Sequence, residues 1–185
     1  SEWSAFLRAF LAAPPPAPGE PDDAVVPSPL MPHLMAGWLL AEMAGRCPNR
    51  PLTLVSPEEP LGTPYDTIGP DGTRYVSFAD WICPTHCIEP LTCPMIRAPR
   101  TWEMKDAFTE YTARLTRRRP TAGPATFTTP HHAFGVGMFR APEIRASLAL
   151  VEDAARRHPE VDVVIGTISA CHGAMSLLRI GRAAG

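Results

Sequence analysis

The sequence predicts an α/β fold in which a layered, partly parallel sheet is flanked by helices and carries a cysteine-rich loop. Segments with helical periodicity alternate along the chain with short β-branched segments, which is typical of layered α/β domains. The chain has 185 residues, of which 45% are hydrophobic and 19% charged. That length and composition are sufficient to bury a complete core as one domain.

Residues 1–21 are expected to form an N-terminal helix followed by a proline-rich linker. Apolar residues between Phe6 and Leu11 fall on one helical face, and prolines are frequent in 14–21. Residues 22–185 are expected to form a single α/β domain that carries the cysteine cluster. The N-terminal helix and linker are candidates for an interface with another subunit, so an oligomer is left open.

The elements of the larger domain follow from local composition. Strands are expected where β-branched or aromatic residues stand between turn residues: 24–26, 52–55, 74–78, 126–129 and 161–168. Helices are expected where apolar residues recur at helical spacing: 32–44, 102–118 and 142–158. Segment 161–168 is the most β-branched of these, as is typical of a strand in the middle of a sheet.

The charge balance indicates no preference for nucleic acid or for an anionic membrane, because 17 basic residues stand against 19 acidic ones. No apolar segment approaches the ~20 residues that span a bilayer. Five cysteines are too few and too unevenly spaced for a disulfide scaffold. We therefore expect a reducing, cytoplasmic setting, in which clustered thiols bind metal or perform chemistry.

A cluster of three cysteines is the strongest functional signal. Cys83, Cys87 and Cys93 have the spacing Cys-x3-Cys-x5-Cys. Pro84 can begin a helical turn that places the first two on one side, and Pro90 stops that turn so that the chain can fold back. Converging thiolates repel one another unless a cation or cluster lies between them. The pattern predicts a metal site; the alternatives are a disulfide between two of them or three unconnected buried thiols.

An iron–sulfur cluster, 4Fe-4S in the first instance, is the preferred cofactor, and zinc is the alternative. Iron–sulfur clusters are often held by three closely spaced cysteines and a distant fourth, with proline directly after a ligand. Pro84 and Pro94 follow Cys83 and Cys93 in this way. The spacing resembles three-cysteine iron–sulfur motifs in general, but it departs from ferredoxin spacings and from the radical-SAM Cys-x3-Cys-x2-Cys pattern. The resemblance therefore assigns no reaction. Structural zinc sites usually combine two Cys-x2-4-Cys knuckles, and only one cluster is present here.

Cys171 is the predicted fourth ligand. It follows the best predicted strand, and we expect it at a strand-to-helix turn, where a helix N-terminus would stabilise a thiolate. His172, His86 and Cys47 are the alternatives. A site with only three ligands would leave one iron open to a substrate.

Histidine-containing loops follow three predicted strands. Ligands of open α/β sheets gather at the carboxyl ends of strands, so we expect these loops to share one crevice with the cysteine loop. The first loop carries His33, the second His131 and His132, and the third Cys171 and His172. His131 and His132 are candidate acid–base residues. Glycines that let the backbone approach a ligand, and arginines that bind an anion near the cluster, are the candidate cofactor-binding residues: Gly135, Gly137, Arg97 and Arg100.

These features predict an iron–sulfur protein that acts in electron transfer or in cluster-assisted catalysis on a small molecule. Its partner is then a small-molecule substrate or a redox protein. The first alternative is a zinc-binding structural or interaction module without a reaction of its own. The second is an enzyme with Cys171 as nucleophile and His131 or His132 as base.

Overall fold

The computed structural model describes residues 2–14, 16–17, 19–26, 33–84, 86–133 and 136–183, except for the side chains of His132 and Ala133. Within these residues there are four helices: α1 (Glu2–Ala12), α2 (Leu34–Arg46), α3 (Met104–Thr116) and α4 (Ala141–Arg157). The strands, numbered in chain order, are β1 (Ala24–Val25), β2 (Leu52–Val55), β3 (Tyr65–Ile68), β4 (Arg74–Ser77), β5 (Thr92–Cys93), β6 (Ala98–Pro99), β7 (Thr121–Thr128), β8 (His131–Ala133), β9 (Val136–Gly137), β10 (Phe139–Arg140), β11 (Val161–Ile168) and β12 (His172–Ile180).

The central sheet confirms the predicted mixed α/β fold. Its strand order is β3-β4-β12-β11-β7, and β2 pairs with the second half of β12. Strands β7 and β11 are parallel, whereas the pairings of β12 with β11, β2 and β4 are antiparallel. Strand β11 lies between two neighbours and is almost entirely buried, as its β-branched composition predicts.

Helices pack on both faces of this sheet. Side chains alternate along β11, so Val163 and Ile165 join one core with α1, α2 and α4, whereas Val164 and Ile168 join a second core with α3. The fully buried Leu7 connects α1 to the first core. The predicted N-terminal helix therefore packs against the domain. None of the helices in the described part of the chain is long and apolar enough to cross a membrane.

The segment after β11 differs from the expectation. The chain turns at 169–171 and returns as β12, which pairs with β11 from Gly173 to Ile180. The predicted strand-to-helix turn at Cys171 is therefore wrong. Few residues of β12 are β-branched, and its β-structure is stabilised by pairing with β11 on one side and with β4 and β2 on the other.

The other predicted elements are present with shifted ends. Strand β7 begins at Thr121 rather than 126, because a register shift opposite Gly123 and Pro124 lets these residues lie within a parallel pairing. The helix predicted from residue 32 is α2, and Pro32 itself lies outside the described residues. Strand β3 pairs with β4 at one edge of the sheet and was not predicted.

Candidate functional site

Three clustered cysteines and a fourth that is distant in sequence line one small cavity, which we call the cysteine cavity: Cys83, Cys87, Cys93 and Cys171. Cys93 and Cys171 are each only 8% exposed, and the other two are partly buried. The free space within the cavity is small, about 10 Å³, roughly the room that one water molecule needs. The structure therefore brings together the four cysteines that the sequence singles out as ligands.

Local turns of the segment 82–97, which we call the cysteine loop, direct the first three sulfurs. The Cys87 N–H donates to the Pro84 carbonyl at 2.9 Å, which closes the predicted turn between Cys83 and Cys87. Strands β5 and β6 then form a short hairpin in which Arg97 N–H donates to the Cys93 carbonyl at 2.9 Å. The chain thus folds back after Pro90, as predicted, and places Cys93 beside the other two.

Glu89 fixes the cysteine loop against the turn between β11 and β12. Its carboxylate accepts hydrogen bonds from Ser169 Oγ at 2.6 Å and from the Ala170 N–H at 2.8 Å. Its backbone has a φ of 53°, in the left-handed region. This contact connects the loop that carries three cysteines to the turn that carries the fourth. Sequence reasoning missed Glu89, because an isolated acidic residue in a loop has no distinguishing pattern.

Cys171 is held in place from two sides. Its carbonyl accepts the Phe78 N–H at 3.0 Å, and its Sγ accepts the Trp102 indole N–H at 3.3 Å. The Trp102 ring stacks on Phe78 with 5.7 Å between the ring centroids. Trp102 stands just before α3, whose first residue, Met104, donates its N–H to the Ala170 carbonyl at 3.0 Å. The start of α3 is thereby fixed to the Cys171 turn.

Electrostatics keep the isolated Cys171 thiol protonated. Burial raises its pKa to about 11, and the Trp102 indole N–H only partly opposes this rise. The expected helix N-terminus is replaced by the start of β12. The helix N-terminus that the nucleophile hypothesis expects after Cys171 is therefore replaced by a strand, and burial favours the protonated thiol.

The neighbouring cysteines affect the pKa of the Cys83 thiol. Burial is the largest cause that raises the pKa of its thiol, and the nearby Cys87, Cys93 and Glu89 add to the rise. The Trp81 indole N–H lies close enough to oppose this rise, although its geometry falls short of a hydrogen bond. A second thiolate in the cavity is therefore disfavoured unless positive charge is present, as the sequence analysis anticipates.

N–H groups surround the sulfurs. The Glu89 backbone N–H donates to Cys87 Sγ at 3.4 Å, in addition to the Trp102 contact with Cys171. Two further buried N–H atoms on the cavity lining, Trp81 Nε1 and Arg100 Nε, have no hydrogen-bond partner among the described residues. The Arg100 side chain is 7% exposed and pairs through Nη2 with Glu103 at 2.8 Å. Arg97, the other predicted arginine, is exposed.

A larger cleft of about 510 Å³ adjoins the cysteine cavity. The two share part of their lining, namely Ala79, Trp81 and His172. His172 Nδ1 lies 2.9 Å from Ser77 Oγ, and burial lowers the pKa of its imidazole, so the ring is neutral at pH 7. His131 also lines the cleft, and its Nδ1 lies 3.2 Å from the Cys87 carbonyl.

The remaining predicted site residues are placed as follows. His33 lies 3.5 Å from Asp71 in a separate cavity beside α2, so its inclusion in the shared crevice is wrong. Cys47 follows α2 and packs against the first core, and His86 is exposed. Gly137 packs closely on Thr129, since a Cβ there would stand 2.7 Å from the threonine Cβ. The His132 side chain and Gly135 lie outside the described residues.

The geometry of the potential metal-ligating side chains is a further property of this site. In the part of the chain that the structure describes, no group of three or more His, Cys, Asp or Glu side chains is arranged to hold a single metal ion. The four cysteines line a common cavity.

Comparison with protein-family models gives a match over most of the chain. A family model described as "AF_1314_C: Uncharacterized protein, C-terminal domain" matches residues 35–181. The matched range includes the cysteine loop, the cleft and β12. Neither the curated proteins nor the solved structures contain a significant match.

Proposed function

We propose that this chain, which belongs to the AF_1314_C family, holds an iron–sulfur cluster on Cys83, Cys87, Cys93 and Cys171. The cluster would act in electron transfer or in chemistry on a small molecule in the adjacent cleft. One observation carries the proposal: four cysteines from the cysteine loop and from the β11–β12 turn line one cavity.

The spacing of the cysteines favours a cluster over a single zinc ion. Structural zinc sites usually combine two Cys-x2-4-Cys knuckles, whereas three closely spaced cysteines and one distant cysteine line this cavity. Iron–sulfur clusters are often held by such a set, with one thiolate at each iron. Four cysteines are the complete donor set for such a cluster.

The N–H groups of the lining support the same proposal. Hydrogen bonds to the sulfurs, together with burial, set the reduction potential of an iron–sulfur centre. Trp102 and Glu89 already donate to ligand sulfurs, and the unpartnered Trp81 Nε1 and Arg100 Nε would find acceptors in cluster sulfides. A buried N–H without a partner is costly, so these two donors fit an anionic group in the cavity.

Uptake of a cluster requires the cysteine loop to move outward, because the free space is now only about 10 Å³. The exposed side chains of this loop leave room for such a movement: Ile82 is 93% exposed and Leu91 78%. Cys171 lies in the sheet turn and serves as the fixed ligand.

The residues beside the cavity have separate tasks in this proposal. The cluster supplies one-electron transfer, whereas His172 moves protons, since it is neutral and lines both the cysteine cavity and the cleft. Ser77 orients its ring through Nδ1, which leaves Nε2 as the atom that exchanges the proton. A reducing compartment such as the cytoplasm is part of the proposal because the thiolates must stay reduced. Nucleic acid and membrane have no part in it.

The proposal is tested by anaerobic purification followed by iron, sulfide and zinc analysis and a visible spectrum. Serine variants of the four lining cysteines are compared with Cys47→Ser as the matched control. We expect about four iron and four sulfide per chain, with broad visible absorption that the four variants lose or weaken and the control retains. One zinc per chain without visible absorption, or a metal-free disulfide, would contradict the proposal.

A further inference from the structure

The floor of the cleft is an open part of one sheet face. Register pairs place Tyr65 beside Ser77 and Ser77 beside His172 in one row. A second row contains Tyr75, Ala174 and Thr167. These six residues line the cleft. They lie on the sheet face against which α2 and α4 pack, but beyond the part of that face that the two helices cover. A volume of about 510 Å³ falls within the range of roughly 300–1,000 Å³ that is typical of small-molecule sites.

The described lining of this cleft combines aromatic rings with hydroxyl groups and has no lysine, arginine, aspartate or glutamate. Tyr65, Tyr75 and Trp81 provide flat apolar surfaces. Hydroxyl groups of serine and threonine can both donate and accept hydrogen bonds, and His131 and His172 add imidazole rings.

Two acidic groups near the cleft are already engaged in hydrogen bonds. The Glu89 carboxylate is bonded to Ser169 and Ala170, and Asp71 accepts the Tyr75 hydroxyl at 2.9 Å. Because the described lining has no lysine, arginine, aspartate or glutamate, a charged ligand in the cleft would lose hydration without gaining an ion pair to such a side chain, which is costly. A neutral ligand with polar edges has no such penalty and can use the hydroxyl groups.

We propose that the cleft binds an uncharged small molecule that consists of a flat ring with a polar substituent, such as an aromatic amide. The inference rests on the proposed function only in that this molecule would then be the substrate beside the cluster. Binding itself depends on the cleft residues alone. The aromatic side chains hold the ring, and the hydroxyl groups bind the substituent.

Three probes of nearly equal shape test the charge preference: benzamide, benzoate and benzamidine. Their binding to the purified chain is measured at pH 7.5 by ligand-observed NMR titration. We expect benzamide to bind at least about tenfold more tightly than either ion, a difference of about 1.4 kcal/mol. Equal or tighter binding of an ion, or no binding of benzamide at millimolar concentration, would overturn the inference.

A directed change of charge locates the site. Thr167→Lys places an ammonium in the cleft and should reverse the preference toward benzoate. Thr53→Lys is the matched control, because Thr53 is an exposed strand residue on β2, and it should leave the preference unchanged. If Thr167→Lys does not fold, Tyr65→Lys serves instead, since Tyr65 is 49% exposed on the edge strand β3. A reversal in the control, or none in the folded cleft variants, would show that the probe binds elsewhere.

Iron and sulfide are measured on the same samples, together with Cys87→Ser. Benzamide binding to a chain that contains no iron would support this inference and contradict the cluster. Iron and sulfide with no benzamide binding would support the cluster and overturn this inference.

Discussion

Glu89 is the residue whose side chain ties the cysteine loop to the rest of the site. Its two carboxylate oxygens accept bonds from Ser169 and Ala170, at the start of the turn that leads to Cys171. Neither partner is near Glu89 in sequence, and its positive φ is unusual for a residue other than glycine. The sequence therefore provides no signal for this contact, which forms only after the sheet is assembled.

Replacement of Glu89 tests this role. Glu89→Ala removes two hydrogen bonds to a charged acceptor and should lower the free energy of unfolding by about 1–3 kcal/mol. It should also lower the iron content after anaerobic purification, because the loop is released from Cys171. Urea denaturation and iron analysis measure the two effects. Glu58→Ala, at an exposed position, is the control, and equal losses in both variants would contradict the assigned role.

The Cys171 thiol predicts a pH dependence in the metal-free protein. Its pKa rises from 9.0 to about 11 on folding, so the folded state keeps the proton that the unfolded state releases. This contribution to stability is complete below pH 9 and is lost as the pH rises through about 11. Between pH 9 and about pH 11, we expect the free energy of unfolding of the unsubstituted protein to fall by about 1–2 kcal/mol more than that of Cys171→Ser. Parallel curves of unfolding free energy against pH for the two proteins would contradict this.

At the scale of elements, Arg50 connects the end of α4 to the end of β12. Its guanidinium donates to carbonyls of Ala155 and His158, and to those of Pro159, Ile180 and Gly181. Helix α4 leads into β11, and β11 pairs along its length with the nine-residue β12. One side chain therefore donates to carbonyl groups at the end of α4 and at the end of β12.

Arg50→Ala should lower the free energy of unfolding by about 2–4 kcal/mol, because partly buried carbonyls lose their donors. The control is Arg156→Ala, which removes an exposed ion pair with Asp153 and should change stability by less than about 0.5 kcal/mol. Chemical denaturation of both variants measures the difference. A small effect at Arg50 would mean that water replaces the guanidinium at these carbonyls.

Elements with a strong local pattern could be predicted, and elements stabilised by their neighbours could not. The β-branched 161–168 segment is a strand at its predicted ends, and the α4 pattern is a helix. Strand β12 contains Gly173, Ala174 and Met175, which favour no strand, and its β-structure depends on pairing on both sides. For this reason the sequence predicts a strand-to-helix turn at Cys171, where the structure has the turn into β12.

At the scale of the whole molecule, the sequence indicated the four cysteines of the cavity but not the contacts that hold them together. Spacing and proline placement indicated Cys83, Cys87 and Cys93, and position after a strand indicated Cys171. All four line the same cavity. A crevice beside the cysteine loop was expected from the histidine loops, but its floor could not be predicted, because it combines side chains from β3, β4, β12 and β11 that are far apart in sequence.

Anomalous diffraction from anaerobically grown crystals, recorded on both sides of the iron and zinc edges, tests the central claim most directly. The account predicts an iron signal of about four atoms between the sulfurs of Cys83, Cys87, Cys93 and Cys171, with the cysteine loop displaced outward. A signal at the zinc edge alone, an iron site away from these sulfurs, or a disulfide between two of the cysteines without metal would contradict it.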